Sequence, residues 1–143
     1  MKSGFLIFIL IINLIAGCSS PVTPAMNTWK VEELILFNQL SDSEFRGVSV
    51  EDLLKNEPNP KIIKDLRLQT LFQRAKFSTD MPISKGEIYA AVKLSDGTYK
   101  PLWISVYGSF FGVIGQKRRG FFRFEKDEDH KIWNELVFGA SRQ

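Results

Sequence analysis

The sequence predicts an α+β domain: an antiparallel meander of about four strands, preceded by two or three helices and closed by a C-terminal helix. Three observations predict it. The hydrophobic period changes from about 3.6 to 2 near residue 87, which marks a passage from helices to half-buried strands. Asp96-Gly97, set between alternating apolar residues, is a strong short-range hairpin signal. Helix caps cluster before residue 87 at Ser49 and at Asn59-Pro60, and an acidic start at Asp127-Glu128-Asp129 opens the last segment. The length of 143 residues suits one domain, and 44% hydrophobic with 24% charged residues excludes a disordered chain.

The elements follow in order. Thr28 is placed to cap a helix running to Leu40, because Leu36, Phe37 and Leu40 share one helical face while Val31, Leu34 and Ile35 broaden it. Trp29, Val31, Ile35 and Phe37 also alternate, which is the pattern of a strand; the reading is helix. Ser49 then precedes Val50-Glu51-Asp52, putting carboxylates on the free amides of a first turn, with Val48 in position to staple to Leu53. Asn56-Glu57-Pro58 ends that helix. Asn59-Pro60 opens a third through about Lys76, with Ile62, Ile63, Leu66, Leu71, Phe72 and Ala75 inward and Lys61, Lys64, Arg67 and Arg74 as a solvated face.

A loop from Ser78 to Gly86 leads into the sheet. A two-residue turn at Asp96-Gly97 pairs Leu94 with Tyr99 and Ala90 with Trp103, large opposite small. Pro101 lacks an amide hydrogen, which favours an edge or a bulge for its strand. Two further strands are expected, over 106–114 with breaks at Gly108 and Gly112, and over 120–125. The closing helix runs from Asp127 to about Val137, with Ile132, Trp133, Leu136 and Val137 inward.

Charge is distributed unevenly along the chain. Residues 85–126 hold eight basic and three acidic side chains, whereas the flanking segments are slightly acidic. Lys117-Arg118-Arg119 falls in a turn between strands, with Arg123 close behind and Phe110, Phe111, Phe121, Phe122 and Phe124 around it. In a strand Phe121 and Arg123 share a face. Lys117, Arg118, Arg119, Arg123 and Phe121 are therefore the candidate partner-binding residues, the arginines supplying bidentate contacts to an acidic partner or to anionic glycolipid phosphates and the aromatic ring an anchor.

The first segment is different material. Lys2 precedes the apolar run Phe5-Leu6-Ile7-Phe8-Ile9-Leu10-Ile11-Ile12, which small residues close; this is the anatomy of a secretory signal peptide, and it is short for a membrane span. Ile15-Ala16-Gly17-Cys18 resembles the lipobox of bacterial lipoproteins, an aliphatic residue and two small residues before the lipidated cysteine. The resemblance covers residues 1–18. It implies a signal peptide over 1–17, cleavage before Cys18, a diacylglycerol on the Cys18 sulfur and often an acyl group on the new amine. Two or three chains, each methylene contributing ~0.8 kcal/mol, give stable attachment to a membrane without a span. Ser19 and Ser20 follow the cysteine where an aspartate tends to signal retention at the inner membrane, so the expected location is the periplasmic face of the outer membrane, with a Gram-positive cell surface as the alternative. Residues 18–27 then form the lipidated cysteine and an extended tether, and 28–143 the single domain.

Little chemistry fits the inventory. The chain has one cysteine, assigned to lipid, and one histidine, His130, which lies among acidic residues on a helix expected at the surface. Phosphate loops and paired metal-ligand motifs are absent from the sequence. No catalytic residue, metal or cofactor is expected, and an exported protein is not expected to bind nucleic acid. The expectation is a non-enzymatic binding or accessory module of an envelope machine with a protein partner. The alternatives are an immunity or exclusion lipoprotein that inhibits a toxin or blocks a receptor, and a carrier of an apolar ligand.

Overall fold

The computed structural model describes residues 26–57, 59–80, 86–106, 108–116 and 120–139, and places in them one antiparallel sheet and four helices. A 3-10 turn at Met26–Thr28 leads into β1 (Val31–Phe37), followed by α1 (Asp42–Arg46), α2 (Val50–Asn56), β2 (Lys61–Ile63), α3 (Arg67–Arg74) and β3 (Lys76–Ser78). The second half holds β4 (Glu87–Leu94), β5 (Tyr99–Ser105), β6 (Phe110–Val113), β7 (Phe121–Arg123) and α4 (Asp127–Phe138). The strands run in the order β2-β1-β4-β5-β6-β7-β3, every neighbouring pair antiparallel. The expected four-strand meander, β4 to β7, and the closing helix are both present. Three further strands, two from residues read as helix and one at the junction of the expected helix and the following loop, extend the sheet to seven. Among the described residues no helix is long and apolar enough to cross a membrane.

β1 corrects the helix expected over 28–40. Leu34 and Leu36 enter the core on one sheet face, and Ile35 and Phe37 enter a second cluster on the other. A strand covered on both faces buries consecutive residues, so its period-2 signal disappears. Leu40 lies beyond the strand and packs against the second cluster.

The helix expected over 60–76 is likewise three elements. Only its middle, α3, is helical, and Leu68, Leu71 and Phe72, with Ala75 just after, are buried at i, i+3, i+4 and i+7 spacing. Leu66, expected inside, is 97% exposed just before α3, and Ile62 on β2 is 49% exposed. β2 and β3 occupy opposite edges of the sheet, so α3 carries the chain from one edge to the other across what we call the inner face. α4 lies antiparallel beside it. Arg67, at the start of α3, bonds Glu135 near the end of α4, and Arg74, at the end of α3, bonds Asp129 near the start of α4 at 3.1 Å. These arginines, expected as a solvated face, therefore join the two helices. Trp133 is fully buried among Phe72, Phe111 and Phe124.

The outer face is covered at β1 and β4 by α1 and α2, which contribute Phe45, Val50 and Leu53. Ser49 caps α2 as expected, accepting from the Asp52 amide at 3.2 Å, but Val48 stays 44% exposed. α1 was not expected. Its cap is a full capping box, in which Ser41 accepts from the Glu44 amide and Glu44 accepts from the Ser41 amide.

The hairpin is where expected, but its register is shifted by one. Lys93 pairs with Tyr99, Ala90 with Leu102 and Tyr89 with Trp103, in place of Leu94 with Tyr99 and Ala90 with Trp103. Leu94 N–H donates to Thr98 O, and Gly97 N–H donates to Leu94 O, so the loop is Ser95-Asp96-Gly97 with Gly97 at φ +84°. This is a three-residue loop closed by a glycine bulge. The Asp96 carboxylate selects it by accepting from both the amide and the hydroxyl of Thr98, at 2.9 and 2.7 Å. The shift puts Ala90 on the inner face and Trp103 on the outer one.

Pro101 is in a central strand, not at an edge. Its carbonyl accepts from Ile114 N–H, so its missing donor also faces the β6 side, just past Val113 where that strand ends. Gly112, expected as a break, pairs with Trp103 inside β6, and a Cβ there would sit 2.1 Å from the indole.

Candidate functional site

Of the candidate residues, Phe121 and Arg123 lie on β7, between β6 and β3 at one end of the sheet. Lys117, Arg118 and Arg119 lie outside the described residues, as do the signal peptide, Cys18 and the tether up to residue 25. The base of the connection that carries the three cations is described. Gln116 Nε2 donates to Gly120 O at 2.7 Å, closing it across its two ends. Gly120 is held beneath the Phe77 ring; a Cβ there would meet that ring at 2.4 Å and the Ser78 carbonyl at 2.7 Å, so only glycine fits.

Arg123 is exposed on the outer face. Ladder register sets it directly between Phe110 on β6 and Lys76 on β3. Phe121, two residues earlier on the same face, is 2% exposed and packs edge-on to Phe110 at 5.1 Å, and Phe110 in turn meets Trp103 at 6.0 Å. Trp103, Phe110 and Phe121 therefore form a diagonal aromatic row that ends beside Arg123. Phe121 is packed within this row, where the sequence had suggested an aromatic anchor for a partner. Phe122 and Phe124 project to the opposite face and join the main core.

A groove of about 570 Å³ runs past this arginine, lined by Asp80, Ser109, Phe110, Phe121, Arg123, Phe124, Glu125 and His130. His130 is half-buried on α4 and stands edge-on to Phe124 at 6.1 Å. Ser109 Oγ donates to Asn134 Oδ1 at 3.3 Å, tying the strand to α4. Among the described residues no group of three or more His, Cys, Asp and Glu is placed to hold a metal ion.

Lys76 was missed from the sequence, where it reads as the tail of a helix. It is exposed and faces Arg123 across the β3–β7 ladder. Among the described residues neither cation lies within ion-pairing distance of a carboxylate, a condition shared with Lys30, Lys61, Lys100, Lys126 and Lys131, whereas Arg46, Lys55, Lys64, Arg67, Arg74 and Lys93 are paired; Lys76 and Arg123 differ in facing each other across a ladder. No local pattern in Lys76-Phe77-Ser78 reveals the pairing, since three residues are too few to show a period.

A smaller concavity of about 250 Å³ lies between the α1–α2 connection and β5, lined by Phe45, Val48, Val50, Tyr99, Pro101 and Ile114 among others. Beside it a polar cluster fixes α1 to the sheet. The Tyr89 hydroxyl donates to Asp42 Oδ1 at 2.7 Å, and Arg46 donates to the same oxygen. Arg46 first, and Tyr89 second, hold the Asp42 carboxyl below its ordinary value; burial, then Asp42, pushes the Tyr89 hydroxyl up. With the Phe45 ring stacked on Tyr89 at 5.0 Å, this cluster serves as a structural lock.

Comparison with known protein families, with curated proteins and with solved structures finds no match to this chain.

Proposed function

We propose that the chain is a lipoprotein anchored to the periplasmic face of the outer membrane through Cys18, and that its folded domain is a non-enzymatic binding module of an envelope machine. The anchor is supported by the N-terminal sequence, a single positive charge, an apolar run too short for a span, and Ile15-Ala16-Gly17-Cys18. The single observation that carries the binding role is the exposed cation on β7. Arg123 stands in the ladder between Phe110 and Lys76 without a carboxylate partner among the described residues, in the most basic segment of the chain. A guanidinium that the fold does not neutralise and holds on regular structure is preorganised to meet an acidic surface. The partner on this reading is an acidic envelope protein.

The anchor is tested by metabolic labelling with palmitate. Cys18→Ala should leave an unprocessed precursor that takes up no label and no longer fractionates with the outer membrane. Labelling and fractionation unchanged from the native chain would overturn the reading.

A further inference from the structure

The like-charged pair across β3 and β7 carries the binding reading further, and the inference rests on that reading. Residues directly opposite in an antiparallel ladder have Cβ atoms about 4.5–5.5 Å apart, and two like charges in that position repel each other and destabilise the pair. Lys76 and Arg123 occupy such positions, both exposed, with no carboxylate in ion-pairing range among the described residues. Asp80 and Glu125 line the same groove as Arg123, yet neither forms an ion pair with it. Both cations therefore face solvent without a neutralising carboxylate on this ladder. The N-terminus of α4, whose amides would suit a phosphate, is already neutralised by Asp127, Glu128 and Asp129.

We propose that Lys76 and Arg123 form a two-cation clasp for a carboxylate side chain of the acidic partner. One carboxylate has two oxygens; Arg123 donates to them through its planar fork and Lys76 adds a mobile point charge beside it. The repulsion that weakens the empty sheet is relieved when the carboxylate is seated, so the same two residues reduce stability alone and increase affinity with the partner. That opposition of sign separates a clasp from an ordinary solvated pair.

The test uses the full chain in neutral detergent, with a hexaglutamate peptide blocked at both ends as probe and inorganic phosphate and phosphatidylglycerol vesicles as alternative anions. The clasp predicts that the peptide binds in a salt-sensitive manner and that Lys76→Gln/Arg123→Gln weakens it about tenfold or more. Lys76→Gln alone should melt at the native temperature or a degree or two above it, because the stem is kept and the repulsion removed. The clasp is refuted if the double variant binds the peptide as the native protein does, if phosphate or the vesicles bind in preference to the peptide, or if Lys76→Gln melts well below the native chain. Loss of the clasp with envelope-partner capture retained leaves the binding module standing, and Cys18 labelling bears on the anchor alone.

Discussion

Across the α3–α4 seam each arginine meets a carboxylate on the other helix, whereas across the β3–β7 ladder two cations meet each other. Arg67 joins Asp65 and Glu135, and Arg74 joins Asp129, which is 2% exposed. Lys61 adds a third tie by donating to Val137 O at 3.4 Å, at the end of α4 where a cation is favoured. Those contacts close the inner layer over Phe72 and Trp133. At the other region Phe110 and Phe121 pack, but Arg123 and Lys76 are left to solvent. The difference separates charge used to hold the fold from charge held in reserve by the fold.

The comparison breaks most visibly at Asp129. Asp129→Ala removes a buried, charge-assisted hydrogen bond and leaves Arg74, whose side chain is 45% exposed, to turn to water. The expected loss is about 1–3 kcal/mol of unfolding free energy by urea titration. Partner capture should be unaffected, because the seam belongs to the fold and lies on the other face.

A smaller effect is expected in acid. The Arg67 guanidinium holds the Asp65 carboxyl below its ordinary value, as Arg46 does for Asp42, Ser41 for Glu44 and Thr98 for Asp96. Each folded value lies below the unfolded one, so the stabilisation is complete above the ordinary values of 3.8 for Asp and 4.5 for Glu and is lost as pH falls through the folded values. The melting temperature should therefore hold from neutrality to about pH 5 and fall below that. Asp65→Asn should flatten part of the acid limb while lowering the neutral plateau slightly, since exposed pairs contribute little. An acid limb identical to that of the native protein would remove Asp65 from this account.

Sequence reasoning reached the parts of the fold whose signals are local. The Ser49 cap, the β4–β5 hairpin and α4 rest on a side chain bonding a neighbouring amide, a two-residue period and an acidic first turn. What it missed is non-local. β1 buries Ile35 and Leu36 on opposite faces, so the run looks equally like helix and strand until β2 and β4 are placed beside it. β2 and β3 are three residues each and exist only through β1 and β7. The hairpin register was lost to one side chain, because Asp96 bonding Thr98 favours a three-residue loop that the Asp-Gly pair alone does not distinguish. At the candidate site Arg123 was legible as an exposed cation behind a basic run. Its facing Lys76 was not, since 47 residues separate them and only strand pairing brings them together.

The central claim is that the basic end of the sheet binds and does not stabilise. Its most direct test is a crosslinking pull-down from intact envelopes over a series of ionic strengths, comparing the native acylated protein with a variant in which Lys117, Arg118, Arg119 and Arg123 are all replaced by Ser. The account predicts that the variant melts at nearly the native temperature and captures its envelope partner less well, the gap being widest at low salt, as expected for charges that steer and rim an interface. A variant that melts far below the native protein, or one that folds normally and recovers the same partners equally at every ionic strength, would contradict it.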